Sequence, residues 1–292
     1  MAVTAVQAGV TVVPITADDL ERAAAFLHAN LNSRVPVERW ARAIDVPWSV
    51  ERPNAGFMLV DGDEVVGVHL AFYADRIIDG RLEHFCNLGA WCVLPEHRFH
   101  GLRLLKALLA QEGYHFTDLS PSGNVVGINE RLGFRFLDTT TALVPNLPWP
   151  SLPGRDVISS DPDVIERTLT GRELELYRDH ALAAGARHLV LRRGDEWCYV
   201  VVRKERRKNL PVFASILHVS NPHLFRRMAR SFARHLLVRH GAVATLAERR
   251  VVGHRPKLSI ALRSPRRKML LSPSLGPEQI DYFYSELVCL SW

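Results

Sequence analysis

The chain has 292 residues, of which 47% are hydrophobic and 23% charged. That composition is globular; it excludes disorder, collagen and a coiled coil as descriptions of the whole, and the length suits two domains of about 150 residues. No stretch reaches the roughly 18 uninterrupted apolar residues that a membrane span needs. The formal charge of +6 is unevenly spread: residues 1–150 carry 12 Lys and Arg against 17 Asp and Glu, the remainder 25 against 14. A basic second half suggests an anionic partner, whether a phosphorylated substrate, a nucleic acid or an acidic carrier protein.

The first sixteen residues carry no charged side chain. They lack the basic region that opens a signal peptide, and Gln7, Thr11 and Pro14 interrupt them. The expected compartment is the cytoplasm. Residues 10–16 read as a strand, with Thr16 capping a helix whose Asp18 and Asp19 sit at the positive dipole end. Leu20, Ala23, Ala24, Leu27 and Leu31 recur at helical spacing. A short helix follows at 37–44, then a hairpin of 56–60 and 64–73 around Asp61-Gly62-Asp63. A strand at 81–93 is interrupted by Asn87-Leu88-Gly89, where the glycine marks a bulge or a close backbone approach. A helix at 102–114, a strand at 116–119, a helix at 125–132 capped by Gly133 and a strand at 134–144 complete the first half.

Pro145, Pro148, Pro150 and Pro153 lie within nine residues and read as a stiff connector. The second half repeats the element order: a helix at 172–184, a hairpin of 188–193 and 196–204, a strand at 211–219, a helix from Asn221-Pro222 to Gly241, and strands at 243–247 and 258–263. Residues 280–292 are apolar and aromatic and read as a segment docked on a core. Four cysteines, Cys86, Cys92, Cys198 and Cys289, have no metal-ligand spacing and read as reduced thiols. No metal site is expected.

The segment 91–105, WCVLPEHRFHGLRLL, is a strand, a short turn with Arg98 and Gly101, and a helix. The first turn of such a helix has free N–H groups and a positive dipole end, which suit a pyrophosphate. Gly101 lets the backbone come close to the phosphates, and Arg98 and Arg103 add charge-assisted bonds.

This stretch resembles the acyl-CoA-binding motif of the GNAT superfamily of N-acyltransferases, in which Arg/Gln-x-x-Gly-x-Gly/Ala follows a strand and a Pro-Glu turn. Pro95-Glu96, Arg98 and Gly101 fit it. Arg103 stands where Gly or Ala is usual, and there either crowds the pyrophosphate or pairs with it. Glu130-Arg131-Leu132-Gly133-Phe134 resembles the end of a later family helix, and the element order over 10–144 is that of the family's domain. The resemblance implies an α/β fold of two tandem GNAT-like lobes, 1–146 and 155–292, each a mixed, mostly antiparallel sheet flanked by helices. It implies acetyl-CoA or another acyl-CoA as co-substrate, held by Trp91, Cys92 and Val93 of the strand and by Arg98, Phe99, His100, Gly101, Leu102 and Arg103 of the loop. The implied reaction is direct acyl transfer to a small-molecule amine in a ternary complex; the basic half allows that amine to be anionic.

The family's general-acid Tyr falls at Asn129, and an amide cannot donate a proton as a phenol does. Its strand Glu falls at about Asn87. Glu83, four residues earlier on the same strand face, is the first candidate base. His84 and Cys86 point to the other face, as a second candidate base and a candidate nucleophile. Each has a plainer reading: a solvated carboxylate, a rim or core histidine, a buried small side chain. The second half's strand–helix junction, Val219-Ser220-Asn221-Pro222-His223, has no Gly, and Pro222 has no N–H to give a phosphate, so one acyl-CoA site is expected. Arg227, Arg230 and Arg234 line one helix face, either solvated or as a docking surface; no nucleic-acid motif accompanies them. The alternative to an enzyme is a non-catalytic acyl-CoA-binding or regulatory protein with a basic docking lobe. A homo-oligomer is compatible with all of this.

Overall fold

Apolar runs bounded by turns form the central strands of two sheets. The computed structural model describes residues 9–150, 156–207 and 210–290, and the chain divides into two compact units. The first comprises 1–118 and 271–273, the second 119–270 and 274–292. Ser151, Pro153 and Gly154 of the expected connector, Lys208 and Trp292 lie outside the described residues.

In the first unit the elements are β1 (Thr11–Pro14), α1 (Leu20–Asn30), α2 (Val37–Ile44), β2 (Gly56–Asp61), β3 (Glu64–Ile78), β4 (Arg81–Val93), a 3-10 turn (Pro95–His100), α3 (Gly101–Leu109) and β5 (Tyr114–Asp118). The strands are ordered β1-β2-β3-β4-β5. All the pairs are antiparallel except β4–β5, which is parallel. Residues 66–74 of β3 are buried without a break, because α1 and α3 both pack on this strand. Asp79 and Gly80, at φ 50° and 79°, make the two-residue turn from β3 to β4. The Thr16 backbone N–H donates to Asp19 Oδ2 at 3.1 Å, which fixes the entry to α1.

The second unit contains α4 (Gly123–Arg131), β6 (Arg135–Phe136), β7 (Thr141–Pro145), β8 (Val157–Ser159), α5 (Pro162–Thr168), α6 (Gly171–His180), β9 (Arg187–Arg193), β10 (Glu196–Arg207), β11 (Leu210–Val219), α7 (Pro222–His240), β12 (Ala244–Glu248), α8 (Arg249–Val252), β13 (Ile260–Ala261), all but the last residue of β14 (Met269–Leu271), and α9 (Glu286–Cys289). Its seven-stranded sheet is ordered β13-β7-β12-β11-β10-β9-β8, and here too one pair, β11–β12, is parallel. Leu189, Leu191, Cys198, Val200 and Val202 pack against Leu224, Met228 and Phe232 of α7. Asn221 accepts from the Leu224 N–H at 3.0 Å to start α7, and Gly241 at φ 64° ends it.

Two expectations need correction. The strand expected at 134–144 is two, β6 and β7, because Asp138 accepts from the Thr140 N–H at 2.9 Å and turns the chain. β6 pairs with β14, and β7 with β12 and β13. The helix expected to reach 114 ends at Leu109; Gly113 at φ 86° then leads into β5. The two compact units meet after Asp118, and Asn146 is tied into the second unit. Its N–H donates to Val243 O at 2.9 Å, its side-chain amide to Ala242 O at 2.8 Å, and its Oδ1 accepts from Thr245 at 2.9 Å.

Gly56, paired with Leu70 at φ 117°, leaves no room for a side chain: a Cβ there would stand 2.2 Å from His69 O. Gly56→Ala is therefore expected to cost about 3 kcal/mol or more in a urea titration. Gly62→Ala, at φ 59° in open space, is expected to cost only about 1 kcal/mol. Equal losses at the two positions would refute the close approach.

Candidate functional site

The parallel ladder of β4 and β5 runs from His84–Tyr114 to Leu88–Asp118 and stops. Beyond it, among the described ladders, β4 is paired only with β3: Gly89 with Leu70, Trp91 with His69, Cys92 with Val68 and Val93 with Gly67. Ala90 has no partner in this register and lies at φ 45°. The bulge expected at Gly89 is thus at Ala90, a residue that bears the strain of a left-handed backbone. Residues 90–94 are half-buried. The backbone groups on their β5 side are left for another partner.

The chain then winds directly into the 3-10 turn and α3. Gly101 has φ −54° and ψ −41°, and its N–H donates to Arg98 O. Gly101 therefore has ordinary right-handed helical backbone. A Cβ there would rest 3.4 Å from Val93 and 3.7 Å from Trp91, ordinary contact distances. The turn holds Glu96 at its start and His97, Arg98 and His100 at its end, and no acidic residue occupies the first turn of α3. Arg98 is exposed and makes no hydrogen bond or ion pair among the described residues. Phe99 is 93% exposed and Leu102 is 39% exposed. Arg103 is already engaged: it donates to Val10 O at 2.7 Å and stands 3.4 Å from His100 Nδ1.

Trp91 and Val93 pack with Leu59, Val66 and Leu104 on the side of α3. The Trp91 ring stacks on His69 at 4.7 Å and 5°. His69 is 3% exposed, and its Nδ1 has no partner. Burial pulls its pKa down to about 3. Sequence reading missed it, since a lone His in an apolar run carries no local signal. Cys92 is half-buried, and burial raises its thiol.

The expected catalytic positions are dispersed. Asn87 is buried, and its Oδ1 accepts from Thr117 at 3.0 Å. Glu83 lies four strand residues earlier, roughly 13 Å at about 3.3 Å per residue. Its Oε2 meets His115 Nε2 at 2.8 Å, and His115 Nδ1 meets Ser272 Oγ at 2.8 Å. His115 and Ser272 were not foreseen; they join Glu83 in a Ser–His–Glu relay that can pass a proton between its ends. His84 is on the other face, 2.6 Å from Asp75. Burial pushes the Cys86 thiol up to about 12, so it is protonated and not nucleophilic. Asn129, in α4 of the second unit, is fully buried.

Solved structures share this fold. The chain matches a GCN5-related N-acetyltransferase from Anabaena variabilis with a TM-score of 0.55 at 12% identity, over 90% of this chain and 72% of that one. It matches a putative acetyltransferase from Pyrococcus horikoshii at 0.55 and 16%, over 91% and 90%. A GCN5-related N-acetyltransferase from Kribbella flavida matches at 0.54 and 19%, over 92% and 72%. The fold is that of the GCN5-related N-acetyltransferases. No protein-family model and no curated protein matches the sequence. Among the described residues no helix is long and apolar enough to cross a membrane. Arg98 lies in the turn between β4 and α3, and Gly101 is the first residue of α3.

Buried neutral His69 gives a pH prediction. The unfolded chain takes up a proton at about pH 6.5, whereas folded His69 does so only near pH 3. Stability is therefore expected to fall as pH drops from about 6.5 towards 3, by about 1.4 kcal/mol per pH unit from this residue. His69→Phe should flatten that slope in acid titrations of the melting temperature. An unchanged slope would show that His69 does not titrate as its burial requires.

Proposed function

We propose that the first unit binds acyl-CoA and transfers its acyl group directly to an amine. The observation that carries this reading is the end of the β4–β5 ladder at Leu88–Asp118, immediately before the Ala90 bulge and the basic start of α3. The unpaired backbone of residues 89–93 supports a place for an extended amide-bearing arm, whose N–H and C=O groups continue the ladder. A thioester carbonyl set among the same N–H groups would be polarised as tetrahedral charge develops. The helix dipole and Arg98 suit the pyrophosphate, and exposed Phe99 offers a ring face to an aromatic base. Arg103 is assigned to holding Val10 rather than to crowding the phosphates.

The attacking amine must lose a proton. Asn87 cannot take it. Glu83, held by His115 on the same strand face, is the acceptor we assign; at roughly 13 Å it acts through intervening water. Asn129 cannot act as a phenol does, so water protonates the departing thiolate. The second unit has the same strand scheme but a different junction. β11 and β12 part after Ser215–Leu246, and Leu217 is the extra residue opposite Val201 and Val202, two positions on, as Ala90 is from Leu88. α8 packs on β11 there, with Val252 fully buried. These features support two GNAT-like repeats and one acyl-CoA per chain. A cytoplasmic enzyme acting on a small amine fits the reading.

Acetyl-CoA and longer acyl-CoA thioesters, incubated with pooled amines, should release free thiol. Calorimetry should count one CoA per chain. CoA at about 100 times its dissociation constant adds roughly 2.7 kcal/mol to stability. Arg98→Ala should weaken CoA by about tenfold, and Arg103→Ala should leave affinity unchanged. Glu83→Gln should lower turnover by about 10²-fold with little change in CoA binding. CoA binding without thiol release for any amine would assign the unit a binding role instead, and no binding would refute the site.

A further inference from the structure

The second unit encloses a charged cavity that the acyl-CoA reading does not use. Side chains alternate along β10: Cys198, Val200 and Val202 enter the α7 core, so Arg203 and Glu205 face the other way. There they line a cavity of about 40 Å³ with Glu248, Arg266 and Lys268. Every residue of its lining belongs to the second unit.

Most of these charges are satisfied. Lys268 bonds Glu248, which also accepts from the Tyr282 hydroxyl. Glu205 accepts from Ser215 and stands 3.6 Å from Arg266. Arg203 differs. It is 2% exposed, its Nε has no partner, and none of its nitrogens makes a hydrogen bond among the described residues. Burial pulls this guanidinium below its ordinary value, and the Glu205 charge opposes that only in part. The five charged lining residues are three cations and two carboxylates. Adding Arg250, which donates to Tyr282, and Glu286, which accepts from Ser120, leaves the same excess of one positive charge.

A buried guanidinium without hydrogen bonds costs several kcal/mol unless an anion completes it. The planar fork of Arg matches the two oxygens of a carboxylate. Leu217, Leu246 and Leu287 supply an apolar wall in the same cavity. The volume is about three to four times the roughly 10–15 Å³ that one water needs, room for two or three carbon atoms with their oxygens and not for a nucleotide. We propose that this cavity binds a short aliphatic monocarboxylate, its oxygens on Arg203 and its carbon chain against the leucines. One such anion cancels the excess charge. The site stands on its own residues and is independent of the function proposed for the first unit.

The test uses the full chain. Acetate and propionate are titrated at fixed ionic strength against chloride and inorganic phosphate, by calorimetry and by melting temperature. Either acid, at about 100 times its dissociation constant, should raise the melting temperature by roughly 5–10 °C, and chloride and phosphate should not. Arg203→Leu should abolish the shift, and Arg203→Lys, which keeps the charge and loses the fork, should weaken binding at least tenfold. No isotherm for either acid up to about 50 mM, equal binding of phosphate, or a shift that survives in Arg203→Leu would each overturn the proposal. Should Arg203→Leu fail to fold, the wild-type isotherms and Arg203→Lys decide.

Discussion

A parallel ladder that stops in mid-strand is the constraint on which the first unit depends. β5 reaches only Asp118, so β4 continues past Leu88 with a partner on one side. Backbone N–H and C=O groups at such a place need a partner, and half-burial keeps full solvation from them. The strand bends at this same place. Ala90, at φ 45°, inserts a residue that β3 does not match, which increases the local twist and re-aims the rest of the strand. The side chains after the bulge then lie on α3, where Trp91 and Val93 pack near Gly101. The unpaired backbone and the basic helix start are consequences of one interruption.

The second unit meets the same constraint differently. Its parallel pair is shorter, Phe213–Ala244 to Ser215–Leu246, and Leu217 is the unmatched residue. α8 follows β12 without a break, and Val252 fills the space beside α7. Gly253, at φ 71°, is so close to Pro222 that an added Cβ would stand 3.0 Å from it. The junction is closed by protein, and Asn221 already occupies one of the free N–H groups of α7, that of Leu224. The sheet's other face holds the charged cavity.

Much of this was legible in sequence where a local rule sufficed. The Asn221-Pro222 start and Gly241 end of α7, the Gly133 cap at φ 91° and the Asp61-Gly62 hairpin all follow from single residues with one dominant conformation. Arg98 and Gly101 were legible as a loop between strand and helix. The bulge was placed one residue early because glycine is the usual bearer of a positive φ, and the sheet imposed it on an alanine. The role of Arg103 was not legible, since its acceptor, Val10 O, is ninety-three residues away. The relay of Glu83, His115 and Ser272 and the cavity around Arg203 gather residues from distant strands, and no periodicity or motif marks such groupings.

The two arginines without hydrogen bonds separate what solvent does from what the fold must do. Arg98 is exposed and solvated by water, so any anion that meets it competes with that hydration. Arg203 is 2% exposed, and hydration is closed to it. Its charge is opposed only by carboxylates that are bonded elsewhere, Glu205 to Ser215 and Glu286 to Ser120. An anion reaching Arg98 replaces water, whereas one reaching Arg203 replaces an absence of partners. The gain per contact is therefore larger in the buried site, although the exposed one carries the motif. Sequence resemblance led to the loop, and the energetics of burial lead to the strand face.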